Sequence, residues 1–474
     1  MHVRLPRLVV AGLSGDSGKT TVSLSILTAL LERGLTASVF KKGPDFIDSA
    51  WLGAVGKATC RNLDTYMVDP AKVLERFVSS AIGSDIAIVE GNRGLFDGKD
   101  LSGTHSTSEL AKLLQAPILL VVNTTKMTRT VAAIINGLVS FDPGVRIAGV
   151  ILNRVAGERH RKILTESIGE FCRIPVLGAL PRLGDDSSVI PGRHLGLVTP
   201  AEFSDGDSLH TKLAEIAAKY IDIDGIIELT SKADDMESQD DAKQSVSAGV
   251  ARIGYFNDSV FTFYYPENLE ALESSGAELV GVSSLDDTAL PDIDALYIGG
   301  GFPETHAERL CSNKSMMVSV RDAVNLGLPV YAECGGLIYL SRSLTWHGKK
   351  FEMAGVFPVD LEMQAKPVGH GYARCRVDRE NPFLEIGTLM KGHEFHYSGA
   401  LSGIGEVDTC LSMQRGVGLG GNRDGLICKS TFACYTHIHA DGVPSWSRSV
   451  VDAACRYRTD RNAVGTRQLG GSSG

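Results

Sequence analysis

The sequence contains no Cys-x-x-Cys pair, no long apolar run and no surplus of positive charge. Its nine cysteines are scattered between positions 60 and 455, and an odd, unclustered set over this length makes a poor disulfide framework, so reduced thiols are expected. A membrane span needs about 20 consecutive apolar residues. The run near the start of "MHVRLPRLVVAGLSGDSGKTT" stops far short of that at a glycine-rich stretch, which speaks against a signal peptide or a membrane partner and for a cytoplasmic protein. With 47 Lys and Arg against 56 Asp and Glu, the net charge of -9 argues against a nucleic-acid partner. A locally basic pocket and a homodimer both stay compatible with the sequence.

What is present is enough chain for two cores, because 474 residues exceed the roughly 250 to 300 at which one hydrophobic core stops growing. The stretches "RLVVAGL", "DIAIVEG", "APILLVVNT" and "VRIAGVILNR" read as buried strands. "KTTVSLSILTALLERG", closed by Gly34, and "TSELAKLLQ", capped by Ser106 or Thr107, read as helices. Continuous apolar strands separated by helices predict a parallel sheet covered on both faces. A second series begins with "ARIGYFN", "AELVGVS", "DALYIGGG" and "LPVYAEC". The expected fold class is therefore α/β with two domains, at 1–225 and 250–446. The polar stretch 226–249 is the expected linker and 447–474, ending in "TRQLGGSSG", an expected tail.

"AGLSGDSGKTT" follows a strand and opens a helix, the context a phosphate-binding loop needs. Glycines let backbone N–H groups approach phosphates, and the helix start adds partial positive charge. Gly15, Ser17, Gly18, Lys19, Thr20 and Thr21 form the candidate nucleotide contacts, with Lys19 on the outer phosphates and the Thr20 hydroxyl on magnesium. Gly12 lies six positions before Gly18, and Leu13 stands where the general pattern has its first glycine. Carboxylates suited to a hard cation follow: Asp45 and Asp48, beside Lys41 and Lys42, then Glu90 at a strand end and Asp97 on a glycine-rich loop.

In "YAECGGLIYL", Cys334 falls between a strand and a helix, where Gly335 and Gly336 permit a sharp turn and the helix start can acidify a thiol. "CYTHIHADG" offers His437 or His439 as a base, and the glycines of "YIGGGFPETHAERL", Gly300 and Gly301 with Gly335, offer amides to an oxyanion.

"GLSGDSGKTTV", "KKGPDFIDSAW", "VEGNRGLFDG", "ILNRVAGERH", "RHLGLVTPAE", "LYIGGGFPETHAERL", "AECGGLIYL" and "GHEFHYS" together resemble the cobyrinic acid a,c-diamide synthases, in order, from residue 7 to about 445. The resemblance implies a dethiobiotin-synthetase-like ATPase domain, with its P-loop on a parallel sheet. A flavodoxin-like, triad-type class I glutamine amidotransferase domain would follow. It implies ATP and Mg2+ as cofactors, L-glutamine and a tetrapyrrole as partners, and amidation of two acetate side chains through an acyl phosphate. By position it makes Cys334 the nucleophile and His437 its base. Thr20, Asp48 and Glu90 become the metal ligands, Lys42, Asp45, Asp48 and Asp97 the activation and substrate residues, and Asn153 an adenine contact. The offset glycine is normal in the dethiobiotin-synthetase group. One position departs: the acid expected two residues after the base is His439. Sirohaem, sirohydrochlorin and its nickel form carry comparable acetates and are the alternative substrates. A nucleotide-switched binding module with an inactive glutaminase, or a plain dethiobiotin-type ligase, would not hydrolyse glutamine.

Overall fold

Arg7–Gly12, six consecutive buried residues, form strand β1 of a seven-stranded parallel sheet in the computed structural model, which describes residues 2–183, 189–193, 196–237 and 251–470. Its other strands are β2 (Ala37–Lys42), β3 (Arg61–Leu63), β4 (Ile86–Gly94), β5 (Ile118–Asn123), β6 (Ile147–Val155) and β7 (Val176–Pro181). They lie in the order β3-β2-β4-β1-β5-β6-β7. Helix α1 (Lys19–Glu32) follows β1, and α2 (Phe46–Gly56) follows β2. Because all the strands run the same way, the loops after β1, β2 and β4 emerge at one edge, where open α/β sheets bind ligands.

The chain folds as two units dividing between residues 241 and 242. The first reaches past the expected boundary at 225, because helix α3 (Ile223–Ser231) carries Ile223, Ile226 and Leu229 on one face into that unit's core. Met236–Glu237 then pairs with His2–Val3, so the expected linker begins inside folded structure; its remainder, 238–249, lies outside the described residues.

The second unit is built on a ten-stranded mixed sheet: β8 (Ala251–Phe256), β9 (Ala277–Val282), β10 (Ala295–Ile298), β11 (Val330–Glu333), β12 (Gly369–Val377), β13 (Leu389–His396), β14 (Asp408–Arg415), β15 (Arg423–Cys428), β16 (Thr431–Cys434) and β17 (His437–Ile438). The order is β9-β8-β10-β11-β16-β15-β14-β12-β13-β17. Pairings from β9 to β16 are parallel and those from β16 to β17 antiparallel. Helix α4 (Gly335–Leu340) leaves β11 directly through Cys334.

Residues 447–474, expected as a tail, begin instead as helix α5 (Trp446–Gly470), which buries Trp446, Val450, Val451 and Ala454 against the sheet. Those residues recur at helical spacing. The Trp446 ring sits 5.5 Å from Tyr297 and 5.3 Å from Tyr331. Removing a fully buried tryptophan costs about 3–5 kcal/mol. Trp446→Ala is therefore expected to lower the stability of the second unit by that amount, read as a shift of its urea midpoint; an unchanged midpoint would mean the helix is dispensable.

Candidate functional site

The loop after β1 is closed by its own polar groups. Ser17, fully buried, donates its hydroxyl to Ser14 O at 2.9 Å and accepts from Ser14 N at 3.1 Å. Gly18 has a φ of 93°, a conformation that favours glycine, and a Cβ there would stand 2.1 Å from Asn153 Nδ2. Asn153, expected at the adenine, donates to Ser17 O at 2.9 Å and so buttresses the loop. Gly15 is exposed at the tip, and Thr21 is half-buried in the first turn of α1. Lys19 Nζ donates to Arg93 O at 2.8 Å and Ser14 O at 3.3 Å. A Cβ on Gly12 would lie 2.7 Å from the backbone oxygen of Ser14 as well as 2.9 Å from that nitrogen, and the fixed carbonyl is why glycine suits position 12. Burial, reinforced by the Lys41 charge, holds the Lys19 ammonium below its ordinary range.

β2 ends in two lysines, and a strand sends neighbours to opposite faces. Lys41 Nζ lies 2.5 Å from Asp48 Oδ2, 2.7 Å from Glu90 Oε1 and 3.9 Å from Asp45 Oδ2. Burial opposes its charge, but Asp48 and Glu90 outweigh that and hold the ammonium well above its ordinary range. Lys42, expected with the acids, has Asp64, Arg93 and Glu109 as its charged neighbours as well as Lys41, and burial lowers it. Lys41 is thus the basic member of the acid cluster. Its signal was a lysine pair closing an apolar strand, where alternation turns one side chain inward.

Asp45 caps α2, accepting from Asp48 N at 2.9 Å, and burial followed by the Asp48 charge pushes its carboxyl up to about 7. For Asp48 burial works upward, but Lys41 prevails and its carboxyl lies below the ordinary range. Glu90 is raised by burial. Its Oε1 accepts from Thr20 Oγ1 at 3.0 Å, while the buried Oε2 has no hydrogen-bond partner among the described residues. An orphaned carboxylate oxygen beside a hydroxyl and a second carboxylate makes an all-oxygen donor set, which fits Mg2+. Among the described residues no group of three or more His, Cys, Asp or Glu could hold a metal, so an ion here would be completed by phosphate or water oxygens. Asp97 folds back to accept from Gly94 N at 2.9 Å, at the end of β4 beside Leu13.

In the second unit Cys334 has φ 48° and ψ -96°, off the ordinary regions for a residue with a side chain. Such backbone costs about 1–3 kcal/mol and persists only where its surroundings impose it. Here Cys334 N donates to Cys434 O at 2.7 Å, and Gly335 packs so closely that a Cβ on it would stand 2.9 Å from Gly301 N. Burial drives the Cys334 thiol up, with the Glu304 and Glu333 charges adding to it, so the resting sulfur is protonated. His437 presents its ring to the glycine triplet, its Nε2 3.1 Å from where a Gly300 Cβ would be. Gly300, expected in the oxyanion hole, donates its amide to Phe263 O at 3.3 Å and takes part in a bridge between those two residues. That leaves Gly301 and Gly335 as the neighbouring amides at the elbow.

Of the two candidate bases, His437 is the one at the elbow. His439 accepts from Asp441 N at 3.2 Å, and its Nε2 lies 3.5 Å from Glu267. The ring of His393 stacks on His437 at 4.9 Å between centroids, and burial holds it well below its ordinary range. Sequence reasoning passed over Glu333, whose Oε2 lies 3.1 Å from His437 Nδ1. An acid ending an otherwise apolar strand was the available signal, since a buried carboxylate needs partners.

Two family models match the chain: a CobQ/CobB/MinD/ParA nucleotide binding domain over residues 8–194 and a CobB/CobQ-like glutamine amidotransferase domain over 252–444. Similar curated proteins include a cobyrinate a,c-diamide synthase from Magnetococcus marinus, 42% identical over 94% of this chain and 97% of that protein. One of the same name from Archaeoglobus fulgidus is 41% identical over 96% and 98%. A third, from Methanosarcina acetivorans, is 37% identical over 96% and 97%.

Proposed function

Because this chain belongs to the cobyrinate a,c-diamide synthase family, we propose that it amidates the a and c acetate side chains of cobyrinic acid, using ATP and glutamine. The observation that carries this reading is the pairing, in one chain, of a phosphate loop beside the buried Glu90 and the half-buried Asp45 and Asp48 with a cysteine on a strained strand-to-helix turn, one residue after the acid that meets His437. The relatives' shared name favours cobyrinate over sirohaem or sirohydrochlorin.

A carboxylate resists amide formation because oxide is an impossible leaving group, so it is first phosphorylated. The loop amides at Gly15, Gly18 and Thr21 and the ammonium of Lys19 receive the phosphates, Lys19 leaving its two carbonyl partners to do so. Thr20, Asp48 and Glu90 would hold Mg2+, which when bound would offset charge on the transferred phosphoryl group. Asp45, whose carboxyl is pushed up by burial and the Asp48 charge, is the acid of the cluster best suited to face a substrate carboxylate. Lys42 and Asp97 lie on the substrate side, Lys42 giving a buried cation to a macrocycle that bears many carboxylates.

In the other unit, His437 takes the thiol proton of Cys334, and the sulfur attacks the side-chain amide carbon of glutamine. The oxygen that gains charge faces the amides of Gly301 and Gly335. His437 returns the proton to the departing nitrogen, which leaves as ammonia. A water molecule then gives a proton to His437 and its oxygen to the thioester, glutamate departs, and the thiol is restored. Ammonia displaces phosphate from the activated acetate.

Incubating the protein with ATP, glutamine and cobyrinic acid is expected to yield a product in which mass spectrometry counts two acid-to-amide conversions. A product with none, or amidation of sirohaem or sirohydrochlorin in preference, would overturn the assignment.

A further inference from the structure

We infer that Glu333, the residue immediately before the nucleophile, is the positioning carboxylate of the glutaminase, taking the place of the acid that position 439 lacks. This rests on the glutamine-hydrolysing role proposed above and goes beyond it, since neither the family resemblance nor the motif points to an acid on this strand.

The placement follows from strand register. β11 and β16 run parallel with Glu333 opposite Cys434, and the chain leaves β16 through Tyr435 and Thr436. Asp424 accepts from Tyr435 N at 3.0 Å, Thr436 N at 3.2 Å and Thr436 Oγ1 at 3.0 Å. That fixed turn delivers His437 beside the end of β11, where Glu333 and Cys334 are consecutive. One peptide unit therefore carries both the nucleophile and the carboxylate that meets its base.

Both oxygens of Glu333 are tied. Oε1 accepts from Tyr331 OH at 3.2 Å and from Ile438 N at 3.3 Å, while Oε2 faces His437 Nδ1 at 3.1 Å with Tyr297 OH at 3.5 Å. Burial, with the Glu333 charge adding to it, holds both tyrosines well above their ordinary range, so they stay neutral donors. Glu333 and His437 are each buried, their side chains 2% exposed, so water does not compete for the contact. An imidazole that donates Nδ1–H to a fixed carboxylate keeps its lone pair on Nε2, the nitrogen on the glycine-triplet side. That tautomer can accept the thiol proton; the other cannot. The acid also stabilises the imidazolium formed at that step. Position 439 is occupied otherwise, its histidine engaged with Glu267 and Asp441.

The test separates the carboxylate from the fold. In the full chain, Glu333→Gln is expected to lower kcat for glutamine hydrolysis by about 10²-fold or more with KM for glutamine unchanged. Amidation driven by added ammonium salts, which does not pass through Cys334, is expected to persist. Glu333→Asp, which keeps the charge one methylene shorter, is expected to fall between, about 10-fold below the parent. A parent-like kcat in Glu333→Gln, or an effect confined to KM, overturns the inference. If Glu333→Gln also loses the ammonium reaction through misfolding, Glu333→Asp decides, and a parent-like kcat there overturns it. A parent protein that never hydrolyses glutamine would instead sink the proposed function.

Discussion

Cys334→Ser is expected to lower glutamine-driven amidation by about 10³-fold or more and to leave amidation from added ammonium salts within about a factor of two of the parent. The exchange of sulfur for oxygen is small, and the backbone that holds residue 334 does not depend on it. The turn is imposed by the Cys334 N to Cys434 O bond at 2.7 Å and by the close packing of Gly335 against Gly301. The chemistry does depend on sulfur. Burial already pushes this thiol up, so attack requires His437 to remove a proton that the site itself does not release. A hydroxyl holds its proton more strongly still, and His437 cannot make up the difference. The phosphate loop lies in the other unit and is untouched by the change. Parallel rate measurements with glutamine and with ammonium chloride read the outcome. Equal loss of both reactions would mean the two units do not divide the labour as proposed.

How much of this was legible in the sequence follows from which signals are local. A phosphate loop between an apolar strand and a helix, and a cysteine ahead of paired glycines, are written in consecutive residues, and both took the expected local form. The helix cap at Ser106 did too, accepting from Glu109 N. The antiparallel half of the second sheet was not anticipated, because strands such as Asp408–Arg415 are half polar and acquire meaning only beside their partners. The same holds for the site. Lys41 and Lys42 are indistinguishable in the string, and the sheet's pleat decides which one meets Glu90. Asn153 and Gly300 also hold structural partners 136 and 37 positions away, contacts that no local signal announces. Glu333 was hidden by adjacency: it looked like the end of a strand until the fold brought residue 437 to it, 104 positions later.

Lys19→Ala is expected to abolish amidation from either nitrogen source, by about 10³-fold or more, with folding stability within about 1 kcal/mol of the parent or slightly above it. The two halves of that result have one cause. Lys19 is buried, and its only direct hydrogen-bond partners recorded among the described residues are two backbone carbonyls, Ser14 O and Arg93 O. Burial and the Lys41 charge both lower its affinity for a proton, and Glu90 and Asp48 offset this only in part. A lysine whose folded pKa is depressed disfavours the folded state at neutral pH, where the unfolded chain keeps it fully charged. Truncation therefore removes an unfavourable burial along with a favourable contact to phosphate. Lys41 is the opposite case, held well above its ordinary range by Asp48 and Glu90, so its charge supports the fold. The discriminating measurement is thermal unfolding with and without ATP and Mg2+. The parent should gain stability as nucleotide binds. The variant should start as high and gain much less. Normal turnover in Lys19→Ala would exclude the phosphate-loop assignment, and a large loss of stability without nucleotide would show that Lys19 is held for the fold rather than for the reaction.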